Sequence, residues 1–311
     1  MRVLVTGGAG FIGSNLVDAL LVDGSYQVRV LDSFATGHRS NLAHCVEKIE
    51  LVEGDIRDSE TVDEAVAGVD MILHQAALPS VPRSIKAPIT SDAVNIGGTL
   101  HLLSASRKAG VKRFIMASSS SVYGNTSTLP KVESMIPQPM SPYAVTKLTG
   151  EHYLSVFARL YDIETLAIRY FNVFGPRQDP NSMYSGVISK FMKVATEGTS
   201  YSVNGDGMHA RDFTYIENVV HANMLALKAD KLNGEVVNVA CGEMYTLLEL
   251  IDAVNQAAGI DLPVTYGPER VGDVKNSLAD INAANNLLGY EPVVEFKQGI
   301  TATYNWYQCN S

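Results

Sequence analysis

The strongest constraint on this chain sits at its start. Arg2–Thr6 is a β-branched apolar run that leads directly into Gly7-Gly8-Ala9-Gly10-Phe11-Ile12-Gly13, and residues 11–22 then carry helical spacing. A buried strand, a tight glycine turn and a helix in that order leave few folds open. Gly7 permits the turn, Gly10 lets a ligand approach the backbone, and Gly13 lets the helix lie close on the strand. Backbone N–H groups at such a helix start attract phosphate. The pattern points to a dinucleotide, with Gly7, Gly10, Phe11, Ile12 and Gly13 around its pyrophosphate.

The same rhythm repeats. Residues 27–31, 49–52, 71–74, 113–117 and 165–168 read as short buried strands, with helical patterns at 59–67, 89–108 (ending at Gly110) and 143–161. Repeated strand–helix–strand units predict an α/β fold: a doubly wound parallel sheet of Rossmann type with right-handed crossovers. After Tyr170 the rhythm breaks. Residues 175–185 are loop-like, strands are expected at 201–203 and 236–239, and helices at 186–197, 217–227, 247–258 and 297–308. The expected organisation is a dinucleotide-binding domain over 1–170 and a smaller α/β substrate lobe over 171–311, with some segments crossing back.

Composition narrows the partners. The chain has 311 residues, 46% hydrophobic, which supports a core and excludes intrinsic disorder. Lys plus Arg is 24 against 33 Asp plus Glu, a net charge of −9, so nucleic acid and membrane surfaces are not expected partners. Cys45, Cys241 and Cys309 form no CxxC pair, so neither a disulfide framework nor a metal site is expected. No basic leader precedes the first strand, and no uncharged apolar stretch approaches the ~20 residues of a membrane span. The reading is a soluble, cytoplasmic protein.

Asp32 ends the second strand, about 20 residues after the glycines, where a carboxylate accepts hydrogen bonds from adenosine ribose hydroxyls. It would repel a 2′-phosphate, which favours NAD over NADP, although Arg39 is nearby. Asp55-Ile56 and Gln75-Ala76-Ala77 follow the third and fourth strands, on the side where doubly wound sheets bind ligands. Asp55 has an alternative role as cap of the helix from Ser59.

Tyr143 and Lys147 are four apart, hence on one helical face. A phenol is protonated at neutral pH, and a nearby ammonium favours phenolate, so the pair can form a usable base. Lys147 can also hold a ribose. Ser118-Ser119-Ser120-Ser121 follows the fifth strand, again at a carboxyl end. Hydroxyls there can bond a sugar oxygen and pass protons, or simply form a polar turn.

TGGAGFIG, SSSSVYG, SPYAVTK and RYFNVFGPRQ together resemble the extended short-chain dehydrogenase/reductase family across essentially the whole chain. Within it the chain looks most like the NAD-dependent UDP-hexose 4-epimerases. That resemblance implies Ser119, Tyr143 and Lys147 as the catalytic set, with Ser120 an auxiliary hydroxyl near the sugar. It implies a redox-neutral reaction through a 4-keto sugar, with NAD staying bound. Tyr170 and Asn172 would flank nicotinamide and the sugar diphosphate. Arg211 and Arg270 would hold phosphate, Asp273 the uridine ribose, and the Tyr201–Asn204 strand would border uracil.

Two features bear on the sugar. Ser277 stands where some relatives carry a bulky tyrosine, leaving room for an N-acetyl group. The segment around Ser80, Arg83 and Ser84 resembles the subgroup acting on UDP-N-acetylhexosamines, although Arg83 has a bland alternative as a helix-end residue. Related dehydratases carry an Asp-Glu pair where this chain has Ser120-Ser121, which argues against dehydration. A UDP-sugar decarboxylase, a net dehydrogenase or a non-catalytic dinucleotide sensor are the alternatives. The helices at 89–108 and 143–161 resemble those that pair in family homodimers.

Overall fold

The computed structural model describes residues 1–180, 186–269 and 275–310. The first half runs β1 (Arg2–Thr6), α1 (Phe11–Asp23), β2 (Gln27–Asp32), β3 (Glu50–Glu53), α2 (Ser59–Val66), β4 (Met71–His74), α3 (Val81–Lys86), α4 (Pro88–Asp92), α5 (Thr99–Ala109), β5 (Arg113–Ser119), α6 (Pro142–Leu160) and β6 (Glu164–Tyr170). The second half runs β7 (Val173–Phe174), α7 (Val187–Glu197), β8 (Tyr201–Asn204), β9 (Ala210–Arg211), β10 (Thr214–Tyr215), α8 (Ile216–Lys228), β11 (Glu235–Val239), β12 (Tyr245–Thr246), α9 (Leu247–Ala258), β13 (Val264–Gly267), β14 (Asn276–Ser277), α10 (Asn282–Leu288) and α11 (Phe296–Asn310).

Among the described residues, seven strands form one parallel sheet in the order β11-β6-β5-β4-β1-β2-β3. Alternation along the strands feeds two cores. Val3, Val5, Val30, Leu73 and Ile115 pack with α1 and α8, whereas Leu4, Leu31, Ile72 and Phe114 pack with α2, α5 and α6. A helix–sheet–helix sandwich follows, because a strand buried on both faces must be covered on both. Register matters for the site: Thr6 pairs with Leu31 and His74, and Ser119 with Tyr170, so these residues share one sheet edge.

Local chemistry explains the boundaries. Helix α1 ends at Gly24 in the left-handed region (φ 73), and α5 ends the same way at Gly110 (φ 73). Ser141 caps α6 by accepting from the Ala144 N–H (3.2 Å), with Pro142 in the first turn. The single helix expected over 89–108 is broken. Between α4 and α5 the chain makes a π-helical segment, Ala93–Gly98. A Cβ on Gly98 would lie 2.5 Å from Ile56, so close packing holds that wide turn against the sheet edge.

The second half supplies smaller sheets: β8 with β13, β9 between β12 and β14, and β7 with β10. It also returns to the first. Strand β11 completes the central sheet beside β6, and α8 packs on α1 and β5. In the other direction, Lys131 bridges to Ala279, its N–H donating to the Leu278 carbonyl at 2.7 Å. Residue 170 therefore marks a change of rhythm rather than a clean cut between lobes. No helix among the described residues is long and apolar enough to cross a membrane.

Candidate active site

The glycine turn is built as its spacing requires. Gly7 has φ +68, and a Cβ there would meet the Ala76 nitrogen at 2.7 Å. A Cβ on Gly13 would sit 2.1 Å from the Gly7 carbonyl oxygen, so only glycine lets α1 lie this close to β1. Helix α1 starts at Gly10 with no side-chain cap and no acid in its first turn. Among the described residues, no side chain therefore competes with an anion for its first N–H groups. Asp32 is nearly buried, and its two oxygens accept the Ala9 N–H (2.8 Å) and the Phe34 N–H (2.7 Å). Burial raises its pKa, against those two hydrogen bonds, which lower it. Each oxygen keeps a lone pair for a ribose hydroxyl. Arg39 is engaged elsewhere, on Glu53 and over the Phe34 ring at 4.0 Å.

Asp55 does not cap α2; Asp58 does, accepting from Glu60 N–H at 3.1 Å. Asp55 instead receives Arg57 through Nε (3.0 Å) and Nη2 (2.7 Å). Ile56 is buried against Gly98. Gln75 donates to the Tyr170 hydroxyl (3.3 Å), which also receives the Asn223 amide (2.8 Å). Among the described residues, no donor reaches the buried Gln75 Oε1. Ala76 and Ala77 follow at the same edge, where the Ala76 N–H donates to Thr6 Oγ1 (3.2 Å). The glycine cradle, the uncapped helix start and this unanswered acceptor beside them fit a dinucleotide.

The catalytic candidates converge. Ser119 ends β5, its hydroxyl accepts the Ser121 N–H (3.2 Å), and it lies close enough to the Tyr143 phenol to lower that group's pKa. The polar-turn reading of the serine run is therefore realised at Ser119. Lys147 is buried, with Nζ donating to the Ala117 carbonyl (2.8 Å) and lying 5.8 Å from the Tyr143 ring centre. Burial lowers the lysine pKa to about 8, and the Glu151 charge opposes that fall. Burial also raises the Tyr143 pKa to about 12, with the neighbouring Ser119 hydroxyl lowering it. Desolvation of the buried phenol therefore opposes the phenolate that a nearby ammonium favours.

Sequence reasoning missed what stands behind this pair. Glu151, one turn beyond Lys147, is buried and accepts both Arg169 Nε (2.9 Å) and Nη2 (2.7 Å), plus the Ser118 hydroxyl. Arg169 in turn lies over the Tyr123 ring at 4.7 Å. The visible signal was spacing alone, since Glu151 continues the i, i+4 series from Tyr143 and Lys147.

A cavity of about 420 Å³ opens beside the sheet edge, lined in part by Asn172, Asn204 and Arg211. Asn172 holds an unusual positive φ of 35°, with its amide donating to the Asp212 carbonyl (2.9 Å). Alternation along β8 sends Ser202 and Asn204 to the cavity and Tyr201 to the core, where its hydroxyl donates to Asn255 (3.0 Å). The Tyr201–Asn204 strand thus borders the cavity through Ser202 and Asn204, with the Tyr201 side chain in the core. Lys190, Phe191, Gln178 and His209 also line the cavity and were not singled out. Ser277 is buried in register with Arg211.

Ser80 has φ 122° and caps α3 by accepting the Arg83 N–H (3.1 Å). Ser84 is fully buried, and its hydroxyl donates to Val81 O (2.8 Å), so its contact is internal to α3. Ser120 opens the short turn Ser120–Tyr123 and is half-buried. Arg270 and Asp273 lie outside the described residues. The three cysteines are unpaired; Cys45 sits near His44 and Asp18, but Asp18 already binds His44 (2.7 Å) and Arg177 (2.5 Å).

Residues 3–240 match the model of the NAD dependent epimerase/dehydratase family. A putative UDP-glucose 4-epimerase of Methanocaldococcus jannaschii is 38% identical over 312 residues, covering 99% of each chain. The solved UDP-glucose 4-epimerase of Thermotoga maritima, with UDP-glucose, superposes with a TM-score of 0.94 at 37% identity, covering 100% of this chain and 99% of that one. The UDP-N-acetylglucosamine 4-epimerase of Methanobrevibacter ruminantium, in complex with UDP-N-acetylmuramic acid, gives 0.95 at 37% identity with the same coverage.

Proposed function

The chain belongs to the NAD-dependent epimerase/dehydratase family, and on that premise we propose that it is a UDP-sugar 4-epimerase acting on the UDP-GlcNAc/UDP-GalNAc pair. The observation that carries the reading is Tyr143 with the Ser119 hydroxyl beside it and buried Lys147 one turn on, at the edge where the glycine cradle also opens. The small Ser277 beside Arg211 supports the N-acetylated sugar, and a pocket that admits the larger sugar does not reject the smaller, so UDP-Glc/UDP-Gal is expected as a second pair.

When bound, NAD supplies the hydride acceptor and donor for the sugar carbon. The remaining work is done by this chain. Gly7, Gly10, Phe11, Ile12 and Gly13 offer backbone to pyrophosphate, and Asp32 accepts from ribose. Tyr143 removes the proton from the sugar 4-hydroxyl as the 4-keto sugar forms and returns it when the opposite face is reduced. Ser119, beside that phenol, holds the same sugar oxygen and passes the proton. Lys147 steadies the ribose and adds positive charge. Arg211, with Arg270 and Asp273, holds the diphosphate and uridine, suiting a planar guanidinium to phosphate.

The test is purified protein incubated with UDP-GlcNAc and no added NAD. Appearance of UDP-GalNAc supports the reading; carbon dioxide from UDP-glucuronate, or stoichiometric NADH release, overturns it. The enzyme is proposed to act in the cytoplasm as a homodimer. Ile85, Ile89, Val145 and Val156 support the dimer, since they leave apolar surface exposed on α3, α4 and α6, which pack together. Light scattering at the monomer mass would refute it.

A further inference from the structure

A buried chain of hydrogen bonds joins the glycine turn to the catalytic helix, and His74 is its centre. Thr6 Oγ1 lies 2.7 Å from His74 Nδ1, and His74 Nε2 lies 2.8 Å from Thr99 Oγ1. The Thr99 hydroxyl donates to the Asn95 carbonyl (2.7 Å), the Asn95 amide donates to Thr146 Oγ1 (3.1 Å), and the Thr146 hydroxyl donates to the Tyr143 carbonyl (2.8 Å). Thr6, His74, Asn95, Thr99 and Thr146 are all buried.

The directions are determined by counting protons. Thr99 spends its single proton on Asn95, so it must accept from His74, which places the ring proton on Nε2. Nδ1 is then an acceptor and takes the Thr6 proton. The Thr6 oxygen is left to accept the Ala76 N–H (3.2 Å). Only one tautomer of a neutral imidazole satisfies every bond. A charged ring would also donate from Nδ1 and leave the Thr6 proton without an acceptor, and burial keeps His74 neutral, lowering its pKa to about 3, with the Lys147 charge adding to the effect.

We propose that His74 is a positioning residue: in its Nε2–H tautomer it registers the cofactor turn, through Thr6, against the helix that carries Tyr143 and Lys147, through Thr99, Asn95 and Thr146. The π-helical turn at Ala93–Gly98 serves this arrangement. Asn95, within that turn, also accepts the Leu78 N–H (2.8 Å) and so ties the loop after β4 into the relay.

The test is a double-mutant cycle. Thr99→Val removes the hydroxyl and keeps the shape; His74→Asn keeps the half of the ring facing Thr6 and cannot reach Thr99. Each single variant is expected to lower kcat about tenfold at unchanged KM and to speed NAD release by a similar factor. The double variant should be no worse than the poorer single one, because both break the same relay. Thr99→Ser should restore both readouts. Losses that multiply in the double variant, or a lower Tm with kcat and NAD release unchanged, would overturn the proposal. If His74→Asn does not fold, Thr6→Val with Thr99→Val supplies the cycle. The kcat readout rests on the epimerase reading; NAD release is measured without sugar, so it still tests the relay if no UDP-sugar is turned over.

Discussion

Glu151→Gln tests the electrostatics of the site most directly. Glu151 and Arg169 are 4% and 3% exposed, and the carboxylate takes two guanidinium hydrogen bonds and the Ser118 hydroxyl. Replacing one partner of a buried pair strands the other charge, at about 3–5 kcal/mol. A midpoint drop of roughly 6 °C or more follows at about 2 °C per kcal/mol. The same change removes the charge that holds the Lys147 pKa up to about 8 against burial. Sign decides the second readout: with that negative charge gone, Lys147 loses its proton at lower pH. The alkaline fall of kcat/KM should therefore move downward, towards neutral. Calorimetry and a pH–rate profile measure the two effects. The double variant Glu151→Leu/Arg169→Met should regain much of the stability, since apolar side chains of similar volume tolerate burial, but not the pH profile. An unchanged Tm together with an unchanged alkaline limb would refute the reasoning.

Other substitutions probe separate parts of the site. Tyr143→Phe should reduce kcat by about 10²–10⁴ while NAD remains bound, read from turnover and retained absorbance; near-wild-type turnover would remove Tyr143 as the base. Gly13→Ala should weaken NAD binding by about tenfold or more in equilibrium dialysis, because its methyl would sit 2.1 Å from the Gly7 oxygen; unchanged affinity would show that α1 can shift. Ser277→Tyr should suppress the N-acetylated pair and spare UDP-Glc/UDP-Gal, and equal loss on both would remove Ser277 from sugar selection.

Much was legible in one dimension because it is local. The glycine turn, the strand–helix alternation, the carboxyl-end positions of Asp32 and Ser119, and the shared face of Tyr143 and Lys147 all follow from short-range periodicity and backbone sterics. Charge sets an expectation as well: an acidic chain proposed to hold two anions would do so with helix N-termini and a few arginines.

What only the tertiary structure decided depends on distance between segments remote in sequence. Burial gives Tyr143 its high pKa and Lys147 its low one, and no spacing rule measures desolvation. Which face of β8 meets the cavity was set by the core that took Tyr201. Strand β11 joining β6, the bent path through Ala93–Gly98, the Glu151–Arg169 pair and the His74 relay all rest on contacts between residues far apart in sequence. A buried polar group must find partners wherever the fold brings them, so their identity emerges only when the chain is closed.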